Sequence, residues 1–585
     1  MSMSINFKRR TYGWIQNPSD FNKLKTTVQI FDNRSSHYQL LRDDWINQKI
    51  YFPQLRSSLQ EKFNHAVEEF TYAELVGSSR NKNNESAAKR ADAVANGLIQ
   101  ISLLPQTHKK TAKAYVDDWT SDGFLRWAVS LNFVEVDRKN DSFKITELGK
   151  QFSESDNDSE EQQDILITAL LSYPPATRVL QILSDANEPK NKFYIGNRLG
   201  FIGESGFTSY GEEVMVDYLM EETDPKERTK IRSNVEGTSD KYARMICSWL
   251  NKLGLVKTQS VKKEGIALFQ KYSITAKGIH RYNQSLGKSR HKKQAKFLMW
   301  EFLATDVSSV DYIRTRRAHL IKNLQKTSSA NEIIKRMQYL GFYTEPAILN
   351  LDIEGLINFG LRIELDSDRI KLLDEIKDFD IPIVEVTEEI SDIALQKEKA
   401  YFYKNTALSK RHISILEIAF DGSKNRDLEI LSAEVFKDYY QLESIHLGGG
   451  LKPDGIAFNQ NFGIIVDTKA YKGVYSRSRA EADKMFRYIE DNKKRDPKRN
   501  QSLWWRSFNE HIPANNFYFL WISGKFQRNF DTQINQLNYE TGYRGGALSA
   551  RQFLIGADAI QKGKIDINDL PSYFNNSVRL LHKSS

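Results

Sequence analysis

The sequence contains very little cysteine and no long run of apolar residues. Its 585 residues include one cysteine, Cys247, which excludes an intrachain disulfide and a cysteine-based zinc cluster. No run reaches the roughly 18 apolar residues that cross a bilayer. The N-terminal stretch MSMSINFKRRTYGW also lacks the apolar segment of a secretion signal. We therefore expect a protein of a reducing cytoplasm, with no membrane partner.

The remaining composition is typical of an ordered chain with several domains. Hydrophobic residues make up 40% of it and charged residues 27%, which excludes a disordered protein. At ~150 residues per domain, the length predicts roughly three to five domains. The formal net charge of +9 favours a polyanionic partner such as nucleic acid, though only weakly, because the excess is spread over the whole chain.

A pattern of helix, strand, turn and strand occurs three times in the first two thirds of the chain. The first copy runs from Phe124 to Gly149, and the second runs from Ala243 to Gly278. In both, a helical apolar period leads into a short strand, a polar turn and a second strand that ends in Ile-Thr. A more diverged copy covers residues 356–373. This order of elements predicts winged-helix units; packing units without any ligand are the alternative.

The helix of the second copy carries candidate base-reading residues. Thr238 to Asp240 are good N-cap residues placed just before it, and Lys241 follows them. The N-terminal turn of a recognition helix enters the major groove, where a lysine can donate to guanine. Glu236, just before the helix, can accept from a cytosine amine, and Arg244 adds positive charge. For any one of these residues, a solvated surface role is the alternative.

The helix of the third copy has the opposite charge. Glu345, Asp352 and Glu354 lie on it or just before it and would repel phosphate. We therefore predict that the third unit binds protein instead of DNA. We further expect it to hold the C-terminal domain against the rest of the chain.

From about residue 390, helices alternate with strands, which predicts an α/β sheet covered on both faces. Within it, KPDGIAFNQNFGIIVDTKAY reads as a hairpin around the apolar strand Ile464 to Val466. Asp467 and Lys469 are two residues apart and project to the same side of their strand. Asp454 belongs to the neighbouring strand. The acidic residues Glu429 and Glu434 lie on the preceding helix and are expected near the same place.

Two carboxylates brought together in this way repel each other unless a cation compensates them. Mg²⁺ fits, because it takes hard oxygen ligands and keeps several waters. We expect its ligands to be Asp454, Asp467 and the backbone carbonyl of Thr468, together with a phosphate oxygen. The Lys469 ammonium then counters charge in the transition state of phosphodiester hydrolysis. The pattern Asp-x-Lys alone is weak, since Asp224 to Lys226 also matches it, and a surface hairpin with solvated charges is the alternative.

Stretches spread over the whole chain resemble the FokI family of type IIS restriction endonucleases. These stretches are Tyr12–Pro18, Trp119–Trp127, Gly203–Ser209, Ser239–Met245, Tyr312–Ala318, His446–Gly449, Lys452–Gly455 and Val466–Tyr471. The resemblance implies three winged-helix-like recognition subdomains followed by a PD-(D/E)xK nuclease domain with an α/β/α fold. The implied boundaries are 1–158 and 159–287 for two DNA-recognition subdomains, 292–376 for a third with a protein–protein role, 377–391 for a linker and 392–585 for the nuclease.

The resemblance also implies the activity. The family comprises Mg²⁺-dependent, site-specific deoxyribonucleases that bind a short asymmetric site in double-stranded DNA and cut both strands at a fixed distance outside it. We expect a GGATG-like site, a bacterial cytoplasmic enzyme that is monomeric when free, and a cognate DNA methyltransferase as genetic partner. Two alternatives remain at this point: a DNA-binding regulator with an inactive nuclease-like domain, and a nickase specific for one strand.

Several site residues carry over from the family. Its two catalytic aspartates and its lysine fall on Asp454, Asp467 and Lys469. Its dimerisation helix aligns with residues 480–492, where Asp483 and Arg487 are spaced to bond reciprocally with a second copy. The expected DNA-facing residues are Gln16, Asn17, Gln106, Trp119, Glu236, Lys241 and Arg244. The alignment is interrupted by an insertion within residues 78–118, and Ser233 and Val235 depart from the asparagine and tryptophan of the family pattern.

Overall fold

The structure is a computed structural model that describes residues 8, 10–105, 113–288, 290–305, 310–366, 368–383, 390–476 and 479–578. Gln106 lies outside these ranges. The described chain forms three N-terminal units, here called units 1, 2 and 3, and a C-terminal domain. One continuous apolar core runs through all three units, from Tyr12 to Phe379.

Unit 1 ends in the predicted helix and wing. Its strands pair antiparallel in the order β1-β3-β2, with Val136 opposite Phe143. Its helix α7 begins at Asp118, where the Asp117 side chain accepts from the Thr120 amide. The elements are α1 Phe21–Gln29, α2 Ser36–Leu40, α3 Ile46–Lys49, α4 Pro53–Asn64, β1 Glu69–Thr71, α5 Tyr72–Val76, α6 Leu98–Ser102, α7 Asp118–Ser130, β2 Val134–Asp137, β3 Ser142–Ile145 and α8 Glu147–Glu154.

Unit 2 repeats the arrangement, with its sheet in the order β4-β8-β5. The predicted N-cap is wrong by a few residues: α14 begins at Thr238 after Gly237, and Asp240 lies inside the first turn, where its carboxylate accepts from the Gly237 amide at 2.9 Å. The elements are α9 Glu160–Ser172, α10 Pro174–Ser184, β4 Lys190–Asn191, α11 Lys192–Gly196, α12 Glu212–Glu221, α13 Pro225–Asn234, α14 Thr238–Lys252, β5 Val256–Gln259, β6 Lys262–Lys263, β7 Ile266–Ala267, β8 Lys271–Ile274 and α15 Ala276–Ser285.

Unit 3 has the predicted helix and two-stranded wing, with Ile370 opposite Leu365. Asp352 is buried within it and bonds to Arg316 and Arg317 at 2.8 and 3.0 Å, so this acid stabilises the core of the unit. The elements are α16 Val310–Leu324, α17 Ala330–Tyr339, α18 Pro346–Phe359, β9 Ile363–Asp366 and β10 Arg369–Leu372.

The C-terminal domain is a mixed sheet covered by helices. The strand order is β11-β12-β13-β14-β15-β16; the first three pair antiparallel and β13 to β16 pair parallel. Separate apolar cores lie on its two faces. The elements are α19 Ile390–Asn405, α20 Lys410–Ile413, α21 Ile415–Ile418, α22 Asn425–Asp438, β11 Glu443–His446, β12 Gly455–Phe458, β13 Gly463–Lys469, α23 Arg479–Lys494, β14 Phe517–Ser523, α24 Phe530–Thr541, β15 Arg544–Ser549, α25 Ala550–Gln561, α26 Leu570–Tyr573 and β16 Ser577–Val578.

The C-terminal domain lies against unit 2 as well as unit 3. Met215 and Leu219 of α12 share an apolar cluster with Ile430 of α22. Tyr210 donates to Asp427, and Lys399 donates to the Gly203 carbonyl at 2.7 Å. From unit 3, Glu354 pairs with Lys410. The expectation that unit 3 holds this domain is therefore incomplete, because segment 203–222 of unit 2 supplies much of the contact.

Within the described ranges, no single helix is both long and apolar enough to cross a bilayer; α9 and α10 reach that length only as a pair, and the pair is bent by 87°.

Candidate active site

The predicted hairpin brings Asp454, Asp467 and Lys469 together. Asp454 directly precedes β12, whose residue Gly455 pairs with Val466 on β13. The Thr468 amide donates to Asp454 Oδ2 at 2.7 Å and so fixes the carboxylate beside β13. Asp467 is 4% exposed, because β13 lies in the middle of the sheet. A strand buried on both sides thus presents charge at its C-terminal end.

The ammonium of Lys469 lies among three carboxylates. Its Nζ is 2.8 Å from Asp467 Oδ2, 3.4 Å from Glu481 Oε2 and 3.8 Å from Asp454 Oδ2. Glu481 lies in the first turn of α23 and pairs with Lys484 at 2.8 Å. Glu481 is not among the site residues that the sequence predicts, since nothing near β13 indicates which residue of the next helix reaches the lysine.

The ionisation of these groups reflects their burial and their mutual repulsion. Burial, reinforced by Asp454 and opposed by Lys469, raises the pKa of Asp467 to about 7. Burial disfavours the ammonium of Lys469, but Asp467 and Asp454 outweigh this effect and raise its pKa well above the usual value. The two aspartates therefore compete for too little positive charge, which is the electrostatic situation that a bound cation relieves.

A fourth acid, Glu429 on α22, belongs to the same site. Burial and then Asp454 raise the pKa of Glu429 to about 8. Glu434 is five residues further along α22, and the expectation that it joins the site is wrong. Its carboxylate bonds to Arg411 at 2.6 Å and to His412 at 2.9 Å and accepts from the Gly211 amide of unit 2. Because the two acids lie on different sides of the helix, only Glu429 faces the hairpin.

The donor set fits a hard divalent cation with few protein ligands. Among the described residues, no three His, Cys, Asp or Glu side chains are arranged to hold a metal. A site made of only two such side chains, Asp454 and Asp467, and a backbone carbonyl is still sufficient for Mg²⁺. This ion keeps several waters and binds through one or two carboxylates. The raised pKa of Asp467 is in line with this fit, because burial and the nearby Asp454 disfavour its charged form, which a bound cation would favour.

Three of the predicted DNA-facing residues lie in one cleft. Gln16, Asn17 and Trp119 line a cleft of about 1280 Å³ in units 1 and 2, with Val310 and Arg314 of unit 3 also in its lining. Trp119 is 63% exposed there, which is unusual for a tryptophan without a partner. Basic side chains from both units, among them Lys23, Arg90 and Lys252, line the same cleft.

The other predicted base-reading residues lie apart from the lining of this cleft. Glu236 is buried; Lys192 contacts it at 2.8 Å and Arg244 at 2.7 Å. Although burial opposes it, the bond from Arg244 lowers the pKa of Glu236. Lys241 is half-buried in the first turn of α14, and its charge acts on Asp427 of the C-terminal domain. DNA contacts by Glu236, Lys241 and Arg244 remain predictions. To contact DNA, each residue would have to give up its present protein partner for a base or a phosphate.

The predicted dimerisation pair lies on the surface of α23. Asp483 is exposed and Arg487 is half-buried, four residues apart on the helix. The same helix supplies Glu481 to the active site, so the predicted interface and the site share one element.

Comparison with known proteins places the three units and the C-terminal domain in one family. Family-level matches are "FokI, recognition domain, subdomain 1" at residues 10–155, "FokI, recognition domain, subdomain 2" at 162–290, "FokI, D3 domain" at 303–368 and "FokI, cleavage domain" at 388–580. The type II restriction enzyme FokI of Planomicrobium okeanokoites is 37% identical over 97% of this chain and 99% of its own. The chain belongs to the FokI family of type II restriction enzymes.

More distant relatives and solved structures agree. The type II restriction enzyme StsI of Streptococcus sanguinis is 28% identical over 97% of this chain and 96% of its own. The structure of restriction endonuclease FokI superposes with a TM-score of 0.87 at 35% identity, covering 97% of this chain and 100% of the other. The structure of FokI bound to DNA superposes with a TM-score of 0.89 at 36% identity, covering 98% of this chain and 100% of the other. The predicted fold class is confirmed, and membership of the FokI family favours a site-specific deoxyribonuclease over a regulator.

Proposed function

We propose that this FokI-family enzyme binds a short asymmetric site in double-stranded DNA, GGATG-like, and hydrolyses both strands at a fixed distance outside it with Mg²⁺. The observation that carries the proposal is the convergence of Asp454, Asp467 and Lys469 at the end of β13. Residues 1–158 and 159–287 act as the DNA-recognition subdomains, 292–376 as the protein-binding subdomain, and 392–585 as the nuclease domain.

In this proposal each side chain of the site has a separate role. Asp454 and Asp467, with the Thr468 carbonyl, would hold Mg²⁺, which would supply Lewis-acid polarisation of the scissile phosphate and a lowered pKa for an attacking water. Lys469 orients that water and balances the charge that develops on the phosphoryl oxygens. The Thr468 amide keeps Asp454 in place through its 2.7 Å bond, so the ligand set is arranged before metal enters.

Recognition is assigned to the cleft and to α14. The exposed ring of Trp119 and the amides of Gln16 and Asn17 supply stacking and base-edge contacts. Lys241 is assigned to a guanine, since a lysine in the first turn of α14 reaches the major groove once Asp427 moves away. Two relatives that cover nearly the whole chain are named restriction enzymes, and one structural relative is described as bound to DNA.

The active site formed by the described residues hydrolyses one phosphodiester at a time, so we assign cleavage of the second strand to a second copy of the chain in contact with the first. We assign that contact to α23 through Asp483 and Arg487, which can pair reciprocally across a two-fold axis. An endonuclease of this kind also threatens the DNA of its own host, so we assign it a cognate DNA methyltransferase as genetic partner.

The test is an incubation of plasmid DNA with the protein and Mg²⁺, followed by run-off sequencing of both strands. We expect discrete ends on both strands at one offset from a GGATG-like sequence, and no ends with Asp467→Ala or with EDTA. Ends on one strand only would identify a nickase. Intact plasmid from the parent protein would contradict the proposal.

A further inference from the structure

The helix α12 of unit 2 carries an unusual stripe of negative charge. Its sequence EEVMVDYLME has acids at 212, 213, 217 and 221 and no basic residue. Glu213, Asp217 and Glu221 recur every four residues and so lie on one face, about 6 Å apart along the axis. In a subdomain assigned to DNA, such a face repels phosphate. Its negative charge therefore needs a different partner.

That partner is a strip of hydrogen-bond donors on the nuclease domain. Lys437 Nζ is 3.1 Å from both Glu213 Oε2 and Asp217 Oδ2. One turn further along α12, the Ser507 hydroxyl donates to Glu221 at 3.2 Å. We call Lys437, Lys452 and Ser507 the donor strip.

The strip extends to the edge of the proposed active site. Lys452 Nζ lies 3.7 Å from Glu222 Oε2, and Lys452 is only two residues from Asp454. Tyr218 of α12 packs edge-on against His446 at 4.6 Å, at the end of β11 that pairs with the strand after Asp454. The acidic helix thus lies beside the place where a scissile phosphate must enter.

From this arrangement we propose that the donor strip is the surface by which the nuclease domain binds the DNA backbone, and that α12 occupies it as an intramolecular mimic of a phosphate chain. The inference rests on the proposed nuclease function. Three features of the contact resemble a protein–phosphate interface: cations and a hydroxyl as donors, negatively charged oxygens as acceptors, and a regular spacing of the acceptors. DNA and α12 then compete for the same donors, so the strip is available only when the domain leaves unit 2.

The ion pairs between α12 and the donor strip are weak enough for DNA to displace them. The paired side chains are partly exposed: 32% for Lys437, 81% for Glu213 and 43% for Asp217. Ion pairs of this exposure contribute little to stability and weaken with salt. DNA offers more negative charge per length than α12, together with release of counterions, so exchange of the acidic helix for DNA is favourable.

The experiment separates a DNA-binding strip from a contact that only holds the domains together. Two variants of the full-length protein are compared on DNA without recognition sites, with Mg²⁺. The acid variant is Glu213→Gln, Asp217→Gln and Glu222→Gln. The combined variant adds Lys437→Gln and Lys452→Gln. Glu212→Gln is the matched control, since Glu212 lies on the same helix but approaches Lys271 of unit 2 at 4.0 Å.

We expect the acid variant to cut site-free DNA about tenfold faster than the parent, and the combined variant to lose that gain and fall below the parent. In the acid background the ion pairs are already absent, so any loss on removing the lysines reports DNA binding. Equal rates for the two variants would overturn the proposal, as would an acid variant no faster than the parent. Single substitutions Glu222→Gln and Lys452→Gln give the same comparison if either multiple variant fails to fold. Failure of the parent to cut DNA that contains its site would instead contradict the proposed function.

Discussion

Lys469 and Asp467 lie two residues apart on one strand, and their charged groups meet at 2.8 Å. The contact depends on the pleat of β13, which turns both side chains to one side, and the hydroxyl of Thr468 between them donates to Asp454 Oδ2 at 3.3 Å. The same pleat places the Thr468 amide against Asp454. The strand β13 therefore carries Asp467 and Lys469 and fixes Asp454, which precedes β12, beside them.

Replacement of Asp467 by asparagine should abolish cleavage and spare DNA binding. Loss of a charged ligand removes several kcal/mol of transition-state stabilisation, so the cleavage rate should fall about 10³-fold or more. The rate is measured in single-turnover assays and the binding by gel shift. Asp224→Asn is the matched control: Asp224 also belongs to an Asp-x-Lys sequence, but it caps α13, a role that asparagine fills as well. Equal rates for Asp467→Asn and Asp224→Asn would contradict the assignment.

Replacement of Glu236 by glutamine should destabilise unit 2. The carboxylate is buried between Lys192 and Arg244, so the substitution leaves the buried Lys192 ammonium without its counter-charge. Breaking such a pair costs about 3–5 kcal/mol. Denaturant unfolding measures the loss, and Glu227→Gln serves as control because its pair with Lys230 is exposed. A change as small as that of the control would show that the pair is not structural.

Asp240 should make the stability of unit 2 depend on pH. Burial raises the pKa of its carboxyl to about 7, despite bonds from Ser209, Gly237 and Tyr210. Because the folded pKa exceeds the unfolded value of about 4, the folded state holds the proton more tightly. This contribution is fully present below pH ~4 and is lost as the pH rises to ~7; it amounts to about 4 kcal/mol. Unfolding at pH 4.5 and pH 7 should therefore differ less in Asp240→Asn than in the parent. An unchanged difference would argue against this assignment.

Charge exchange on α23 should reveal the proposed dimer. Asp483→Arg and Arg487→Asp each place like charges opposite one another across a two-fold axis, so either variant alone should cleave at least tenfold more slowly. A mixture of the two restores opposite charges at both pairs of the mixed dimer and should recover activity. The measurement is the cleavage rate as a function of protein concentration. Full activity of either variant alone would exclude this pair from the interface.

Sequence patterns predicted most of the regular structure. The strand β13, Gly463–Lys469, contains the apolar run Ile464 to Val466 that predicts it. The helix and wing of each of the three units could be predicted because a helical period changes abruptly to short strands around a polar turn. The start of α14 was misplaced, because Thr238 to Asp240 favour both a cap and a first turn, and Gly237 provides the cap without a side chain.

Contacts between segments that are distant in the sequence could not be predicted from it. Glu434 has the same local pattern as Glu429, yet one faces unit 2 and the other faces the hairpin. Likewise, nothing around Glu236 indicates that Lys192, 44 residues away, will bury against it. Packing between helices and strands determines such partners, and the local periodicity of the sequence does not predict that packing.

The sequence by itself determined the element types, the two aspartates and the lysine on one hairpin, and the likeness to the FokI family. These features depend on periods of two and of 3.6 residues and on short motifs, which are local properties. Only the tertiary structure decided which acids share the site with Lys469, which acids hold the domains together, and that α12 lies on the lysines of the nuclease domain. Those choices follow from burial and charge pairing across hundreds of residues, where the lowest free energy belongs to the assembled chain and not to any one segment.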